Sequence, residues 1–358
     1  MIQRKYLNPV GLVVLLVGIW TLGWFWLAWV IETGLKEYAA QRTGNSFTVV
    51  WDEIDTDGYP NRLFTHITRP RVKWSTPDGA VEWAGPTTKL KFFTDFGRTV
   101  SFQSPGRHIF VLPYLASYDD ERMVAADSER LDGRIEFDGD GRITVLRGQA
   151  SRLALALDRK PLTTLDDAAF DWSRNAGRHD SGAIHPDTAG QTLDFALSGL
   201  TLEATKLEPD IFGTLGRKLD RVAGQISLRG KLQHDRITAE TLGRWRDAGG
   251  TLELADIIID WGPLRLAGAG TLALDDALQP VGALTAQIAG LDRLLDLLER
   301  SGQVRPQQAA IARIALAVLT HTPADGGPPR AEVPVGIQNQ QLSIGPVPLL
   351  RLPVIVWQ

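Results

Sequence analysis

Residues 264–275, LRLAGAGTLALD, decide between two folds. Gly268, Gly270 and Ala273 satisfy the G-x-G-x-x-A spacing of a dinucleotide-binding turn. That motif works only where a strand runs into a glycine turn that opens a helix, because the helix N-terminus supplies the N–H groups that hold a pyrophosphate. Here the following residues alternate instead: Leu272 and Leu274 share one parity, and Thr271, Ala273 and Asp275 the other. Leu264 and Leu266 alternate in the same way with Arg265 and Ala267. A period of two is the signature of a strand with one buried face. The stretch therefore reads as strand, small-residue turn and strand, and no cofactor is expected.

The same alternation extends through most of the chain. Phe47, Val49 and Trp51 alternate with Thr48 and Val50, and RLFTHI and RVKW continue the pattern. Ile135 and Phe137 lead into a turn at Asp138 to Gly141, and Ile143 and Val145 lead out, as a hairpin requires. Leu193, Phe195 and Leu197, then Ile226, Leu228 and Leu232, then Leu252 and Leu254, each present one apolar face. Hairpins of this kind argue for an antiparallel sheet rather than the all-apolar strands of a doubly wound parallel one. The apolar side chains at 193, 195, 197, 252, 254, 264, 266, 272 and 274 have two readings. They form the core of a closed sandwich, or they line a groove if the sheet curls into an open trough.

Few segments carry helical periodicity. Ile211, Leu215, Leu219 and Val222 recur at helical spacing after Pro209, and Leu242 and Trp245 lie three apart before a Gly-Gly stop. The clearest signal is a helical hairpin at 291–320. Leu291, Leu294, Leu295 and Leu298 form one stripe, and Ile311, Ile314, Ala315, Val318 and Leu319 a second, with Pro306 at the start of the second helix. Both stripes are expected to dock on the sheet, with direct membrane contact as the alternative. Pro346, Pro348 and Pro353 confine the last strands to an edge or an end.

The N-terminus sets the compartment. Pro9 to Ile31 is a run of 23 residues without a charge, about 35 Å of helix against a hydrocarbon core of about 30 Å. A cleaved signal sequence would have a shorter apolar region ending in small residues, whereas Trp20, Trp24, Phe25, Trp26 and Trp29 crowd the downstream half. The run is expected to remain as an anchor, with Trp20, Trp24, Trp26 and Trp29 as its aromatic belt. Arg4 and Lys5 precede it and Glu32 follows before Lys36, which places the N-terminus in the cytoplasm. The resulting division is a cytoplasmic tip at 1–8, a transmembrane helix at 9–31, a helical linker at 32–44 and a β-rich exported region at 45–358.

Composition removes several function classes. Lysines and arginines are scattered and the net charge is −4, so nucleic acid is not expected as a partner. Cysteine is absent, which excludes disulfides, thiol nucleophiles and thiolate zinc sites. His179, Asp180, His185 and Asp187 fall within nine residues and are the one candidate metal cluster, but they lack a tight ligand spacing. DGDG at 138–141 begins like a calcium loop, yet Arg142 takes the fifth position and Gln149 the twelfth, where a bidentate glutamate is needed, so a turn is expected. Neither a G-x-S-x-G elbow nor a phosphate loop is present. No catalytic or metal residue is assigned, and the chain is not expected to be an enzyme. In GYPNRLFTHITRPRVKW, Gly58 and Pro60 define a turn, and Arg62 is a solvated arginine or a phosphate or carboxylate ligand.

Several of these segments together resemble one bacterial family. Trp51, DGYPNRL at 57–63 and Pro70, then WRDAGGTLELADIIIDWGPLRLAGAGTLALD at 245–275, LQPVGALTAQIAG at 278–290 and LDRLLDLLERSG at 291–302, are similar to domain-of-unknown-function family 2125, envelope proteins of Gram-negative bacteria. The order of an N-terminal span, one-faced strands and a late NQQLSIGPVPL segment also resembles AsmA-like proteins. That second resemblance implies an inner-membrane anchor and a curled sheet whose apolar groove carries lipid. The resulting expectation is a single-pass inner-membrane protein whose periplasmic domain binds or transports lipid or other apolar envelope components, or aids their assembly. A scaffold that recruits a protein partner through its sheet, and a metal-dependent envelope hydrolase, are the rival readings. A reporter enzyme that works only outside the cytoplasm, fused after Gln358, is expected to be active. Activity of a cytoplasm-only reporter at the same point would contradict the orientation.

Overall fold

The computed structural model describes residues 9–42, 47–76, 79–92, 98–112, 122–174, 189–202, 215–230, 238–300, 302, 305–321, 329–344, 347–352, 354, 355 and 357. The chain is mainly β, with antiparallel pairing in every ladder described, and forms two compact units. The first comprises Met1–Arg134 with Leu155–Lys160, and the second Ile135–Ala154 with Pro161–Gln358.

The first unit begins with α1 (Pro9–Arg42), which runs without a break through both the uncharged stretch and the helical linker. Pro9 sits at its start, where a missing N–H is harmless. Its distal half turns Ala28 and Ala39 inward, fully buried, and packs on β1 (Phe47–Val50) and β2 (Glu53–Asp57). Alanines let the helix approach the strands closely. β2 pairs with β3 (Phe64–Thr68), and β3 with β6 (Thr88–Phe92), which continues to β7 (Thr99–Gln103). A second ladder joins β1 to β4 (Arg71–Thr76), β5 (Gly79–Ala84), β8 (Gly106–Leu112) and β9 (Arg122–Ser128).

Strands β10 (Arg130–Phe137), β11 (Ile143–Leu157) and β12 (Lys160–Ser173) contribute residues to both units. The β10–β11 connection is the expected turn. Asp138 Oδ1 accepts the N–H groups of Asp140 and Arg142, both at 2.9 Å, which consumes the carboxylate that a calcium loop would need.

The second unit is a meander in which each strand pairs with the next. β12 is followed by β13 (Ala189–Leu202), β14 (Lys218–Arg229), β15 (Thr251–Trp261), β16 (Leu264–Leu274) and β17 (Pro280–Ala289). After α3 (Leu291–Arg300), α4 (Pro306–Leu319) and the short β18 (Thr320–His321), the ladder resumes with β19 (Arg330–Gln338), β20 (Gln341–Ile344) and β21 (Val347–Arg351). One helix, α2 (Ala239–Asp247), interrupts it earlier. Thr238 caps that helix through a reciprocal bond with Thr241, and buried Trp245 donates to the Arg229 carbonyl at 2.8 Å. The tail returns to the β16–β17 turn: buried Gln279 bonds both the N–H and the C=O of Ile355 at 2.9 Å, and Trp357 donates to Leu278 O at 2.8 Å.

Three sequence readings are corrected. Residues 264–275 contain no turn, because β16 is one continuous strand whose register with β17 holds from Arg265 opposite Ala289 to Leu274 opposite Pro280. Gly268 and Gly270 are there because the neighbouring strand comes close. A Cβ on Gly270 would stand 2.5 Å from Ala283 O, and one on Gly268 3.0 Å from Thr285 O. The helix expected across 211–222 is not continuous, since Leu219 and Val222 lie in β14, opposite Leu200 and Leu197. Its first part falls outside the described residues. In α4 two members of the expected stripe do not dock: Ile311 and Ile314 are about two-thirds exposed, while Ala309 is buried and Arg313 reaches Asp296 and Glu299 of α3 at 2.6 and 2.9 Å.

Two outcomes follow from these contacts. Gly270→Val should destabilise the protein by about 2–3 kcal/mol in denaturant unfolding, whereas Thr271→Val on the exposed face should leave the midpoint unchanged. In the first unit the Asp158 carboxylate accepts the Met123 N–H at 3.0 Å and a guanidinium N–H of Arg122 at 2.6 Å. The Met123 bond first, and the Arg122 bond after it, hold its pKa below the ordinary aspartate value. A lowered folded-state pKa contributes stability above the unfolded pKa and loses it as pH falls through the folded one. Asp158→Asn should therefore be less stable than the parent at pH 7, with the two curves converging in acid below the normal aspartate range.

Candidate functional site

Register assembles the apolar side chains of the second unit into rows across the sheet. One row runs Trp172, Leu193, Ile226 and Leu254 over β12 to β15, passes the gap at Gly270 in β16, and continues through Leu284 and Val335 in β17 and β19. A second runs Leu197, Val222, Ile259, Leu266 and Ile288. A third runs Leu228, Leu252, Leu272, Gly282 and Ile337. Between the first two, Phe170 faces Phe195, and Phe195 borders Gly224 and Ile257.

The β14–β15 and β15–β16 ladders both shift register within residues 254–258 of β15. A bulge there moves the inward parity from even at Leu252 and Leu254 to odd at Ile257, Ile259 and Trp261, so one face stays apolar along the whole strand. The nine residues expected to share a face therefore do so: Leu193, Phe195 and Leu197 from β13, Leu252 and Leu254 from β15, and Leu264, Leu266, Leu272 and Leu274 from β16. The opposite face carries exposed Asp194, Thr271, Ala283, Thr285 and Glu332.

Coverage of the apolar face is incomplete. None of the large apolar side chains in these rows is fully buried, and Phe170 is 38% exposed. The fully buried apolar residues of the described chain are seven alanines with Leu165, Leu242 and Trp245. Helices α3 and α4 lie against β16 and against β18 and β19 without closing the rows. A packed sandwich interior would bury such leucines and isoleucines completely.

The first unit carries two further features. A depression of about 260 Å³ crosses β1, β4, β5 and β8, lined by Val50, Ala84, Ile109 and Val111 together with Arg71 and Lys73. Its cations are engaged, Arg71 with Asp52 at 2.8 Å and Lys73 with Glu82 at 2.6 Å. It is also smaller than the roughly 300–1,000 Å³ of ordinary ligand pockets.

The second feature is the turn between β2 and β3, which rests on the uncharged half of α1. Trp20 Nε1 donates to Pro60 O at 2.7 Å, Trp24 Nε1 donates to Arg62 O at 2.8 Å, and the hydroxyls of Thr21 and Tyr59 are bonded at 2.7 Å. Tyr59 stacks on Phe25 at 5.9 Å between ring centroids and meets Trp24 edge-on at 5.6 Å. The belt tryptophans thus divide by their N–H groups: those of Trp20 and Trp24 go to the turn, while the rings of Trp20, Trp26 and Trp29 are all exposed. The sequence reading had isolated this turn but not its seat on α1.

His179, Asp180, His185 and Asp187 lie outside the described residues. Among those described, no group of three or more histidine and carboxylate side chains comes together as a metal site. His108 is buried with a structural role, its Nε2 bonded to Ser104 O at 2.8 Å and its ring stacked on Trp83.

A family model described as an uncharacterized protein conserved in bacteria, domain-of-unknown-function family 2125, matches residues 24–353. No curated protein matches the chain.

Proposed function

The chain belongs to this bacterial family, and from that premise we propose that it is an inner-membrane-anchored, periplasmic protein that binds lipid or other apolar envelope components on the half-covered face of β12 to β20 and carries or helps assemble them. The observation that supports this reading most is the open apolar face itself: rows of Leu, Ile, Val and Phe aligned by register, with a polar face behind them. Extended apolar surface on a soluble domain marks a place where something binds. α1 is long and apolar enough to cross a bilayer, and Arg4 and Lys5 ahead of it favour the orientation with the sheet outside the cytoplasm. A sheet face lined by alternate residues suits acyl chains, which need contact area rather than directional partners. This role needs no catalytic residue, and the reading is of a binding protein rather than an enzyme.

The test is site-specific photocrosslinking in cells. A benzophenone amino acid at Leu254 should capture lipid, detected by mass spectrometry of the purified adduct, and the same group at exposed Thr271 should not. Repeated capture of one protein at Leu254, with lipid never found, would contradict the proposal and favour a scaffold.

A further inference from the structure

The turn held by α1 lies alongside the C-terminal half of the uncharged run, and this deepens the reading of α1 as a membrane anchor, on which it rests. Trp20 and Trp24 lie 11 and 7 residues before Ile31, the last residue of the uncharged run. At 1.5 Å per residue the turn therefore touches the helix about 16 and about 10 Å inside the end of that run. The run is about 35 Å long and the hydrocarbon core about 30 Å, so sliding the helix relieves about 5 Å of this depth. Whatever covers the helix at Trp20 and Trp24 must also cover Tyr59 to Arg62.

The turn suits that position. Tyr59 and Pro60 are exposed and apolar in bulk, and Tyr59 stacks on exposed Phe25. The Pro60 and Arg62 carbonyls, which would be costly to bury unpaired, already accept the two indole N–H groups, and the Arg62 N–H donates to Gly58 O at 3.0 Å. Arg62 is exposed, and its guanidinium has no carboxylate partner among the described residues. An arginine at this level extends its long stem toward the phosphate layer and matches phosphate geometry with paired N–H donors.

We propose that the Gly58–Arg62 turn is a second membrane contact of this protein, in which Tyr59 and Pro60 enter the leaflet at the C-terminal end of the uncharged run and Arg62 binds the phosphate of a phospholipid there. The contact fixes the base of the first unit at the bilayer surface.

The chain has no cysteine, so one introduced residue carries one probe. Full-length protein with a nitroxide at Asn61→Cys is reconstituted in vesicles of phosphatidylethanolamine and phosphatidylglycerol. Collisions with oxygen and with a water-soluble nickel chelate are measured by electron spin resonance, with Leu16→Cys and Asp140→Cys as membrane and water references. Nickel access at Asn61 should be about fivefold below that at Asp140. Adding Arg62→Ala, or replacing phospholipid by a phosphate-free diglycosyl lipid, should raise it about twofold or more, and inorganic phosphate should not reverse the lipid effect.

Access at Asn61 equal to that at Asp140, with Leu16 protected, would overturn the proposal and leave the anchor standing. Protection indifferent to Arg62 and to lipid phosphate would overturn the phosphate contact. Exposure of Leu16 as well would remove the anchor and the turn's role together.

Discussion

The structure depends on one constraint: a long antiparallel sheet with a continuous apolar face has to be kept from water. Complete burial of a Leu, Ile or Phe side chain contributes about 1.5–3 kcal/mol. Ten such side chains left about a quarter open forgo on the order of 5 kcal/mol, a sizeable part of the net stability of an ordinary domain. A protein whose only task was to be stable would close this face with a second sheet or with its helices. Here α3 and α4 lie against the sheet, yet Ile311 and Ile314 point outward and the rows around Leu254 and Leu266 stay partly uncovered. An apolar ligand completes such a face at no cost in directional bonds, and the polar reverse face keeps the ladder soluble.

How that face stays single along the sheet is a matter of backbone detail. Antiparallel pairing aligns Leu193, Ile226 and Leu254, and the bulge in β15 resets parity before it would turn Ile259 and Trp261 to the wrong side. Gly270 and Gly282 let β16 and β17 approach more closely than a Cβ would permit. These glycines leave shallow steps among the leucines, so the surface is relieved rather than flat.

Much of this was legible in the sequence because period-2 alternation is a local signal. The strands around Phe47, Ile135, Leu193 and Leu252 and the shared face of their apolar side chains came from it, while helical spacing before a Gly-Gly stop placed the helix at Leu242 and Trp245. The misreadings occurred where a local pattern has two meanings. Gly268 and Gly270 look like a turn, yet strand parity runs straight through them, and only the closeness of Ala283 and Thr285 explains them. Leu219 and Val222 are three apart as on a helix, but their partners are Leu197 and Leu200 on another strand. Ile311 and Ile314 show that an apolar stripe says nothing about which face a short helix turns inward. The seat of the Tyr59–Arg62 turn on Trp20 and Trp24 joins residues about forty positions apart, and such contacts leave no periodic trace.

Because the chain contains no cysteine, the central claim can be read directly from neighbouring residues on opposite faces of β16. Thr271→Cys and Leu272→Cys, each in full-length protein extracted from membranes, are labelled with a water-soluble maleimide before and after lipid is stripped away. The account predicts fast labelling at 271 throughout, and slow labelling at 272 that accelerates once lipid is removed. A residue 272 that reacts at one unchanged rate, whether slow as in a sealed protein core or fast as on an uncovered surface, would contradict it.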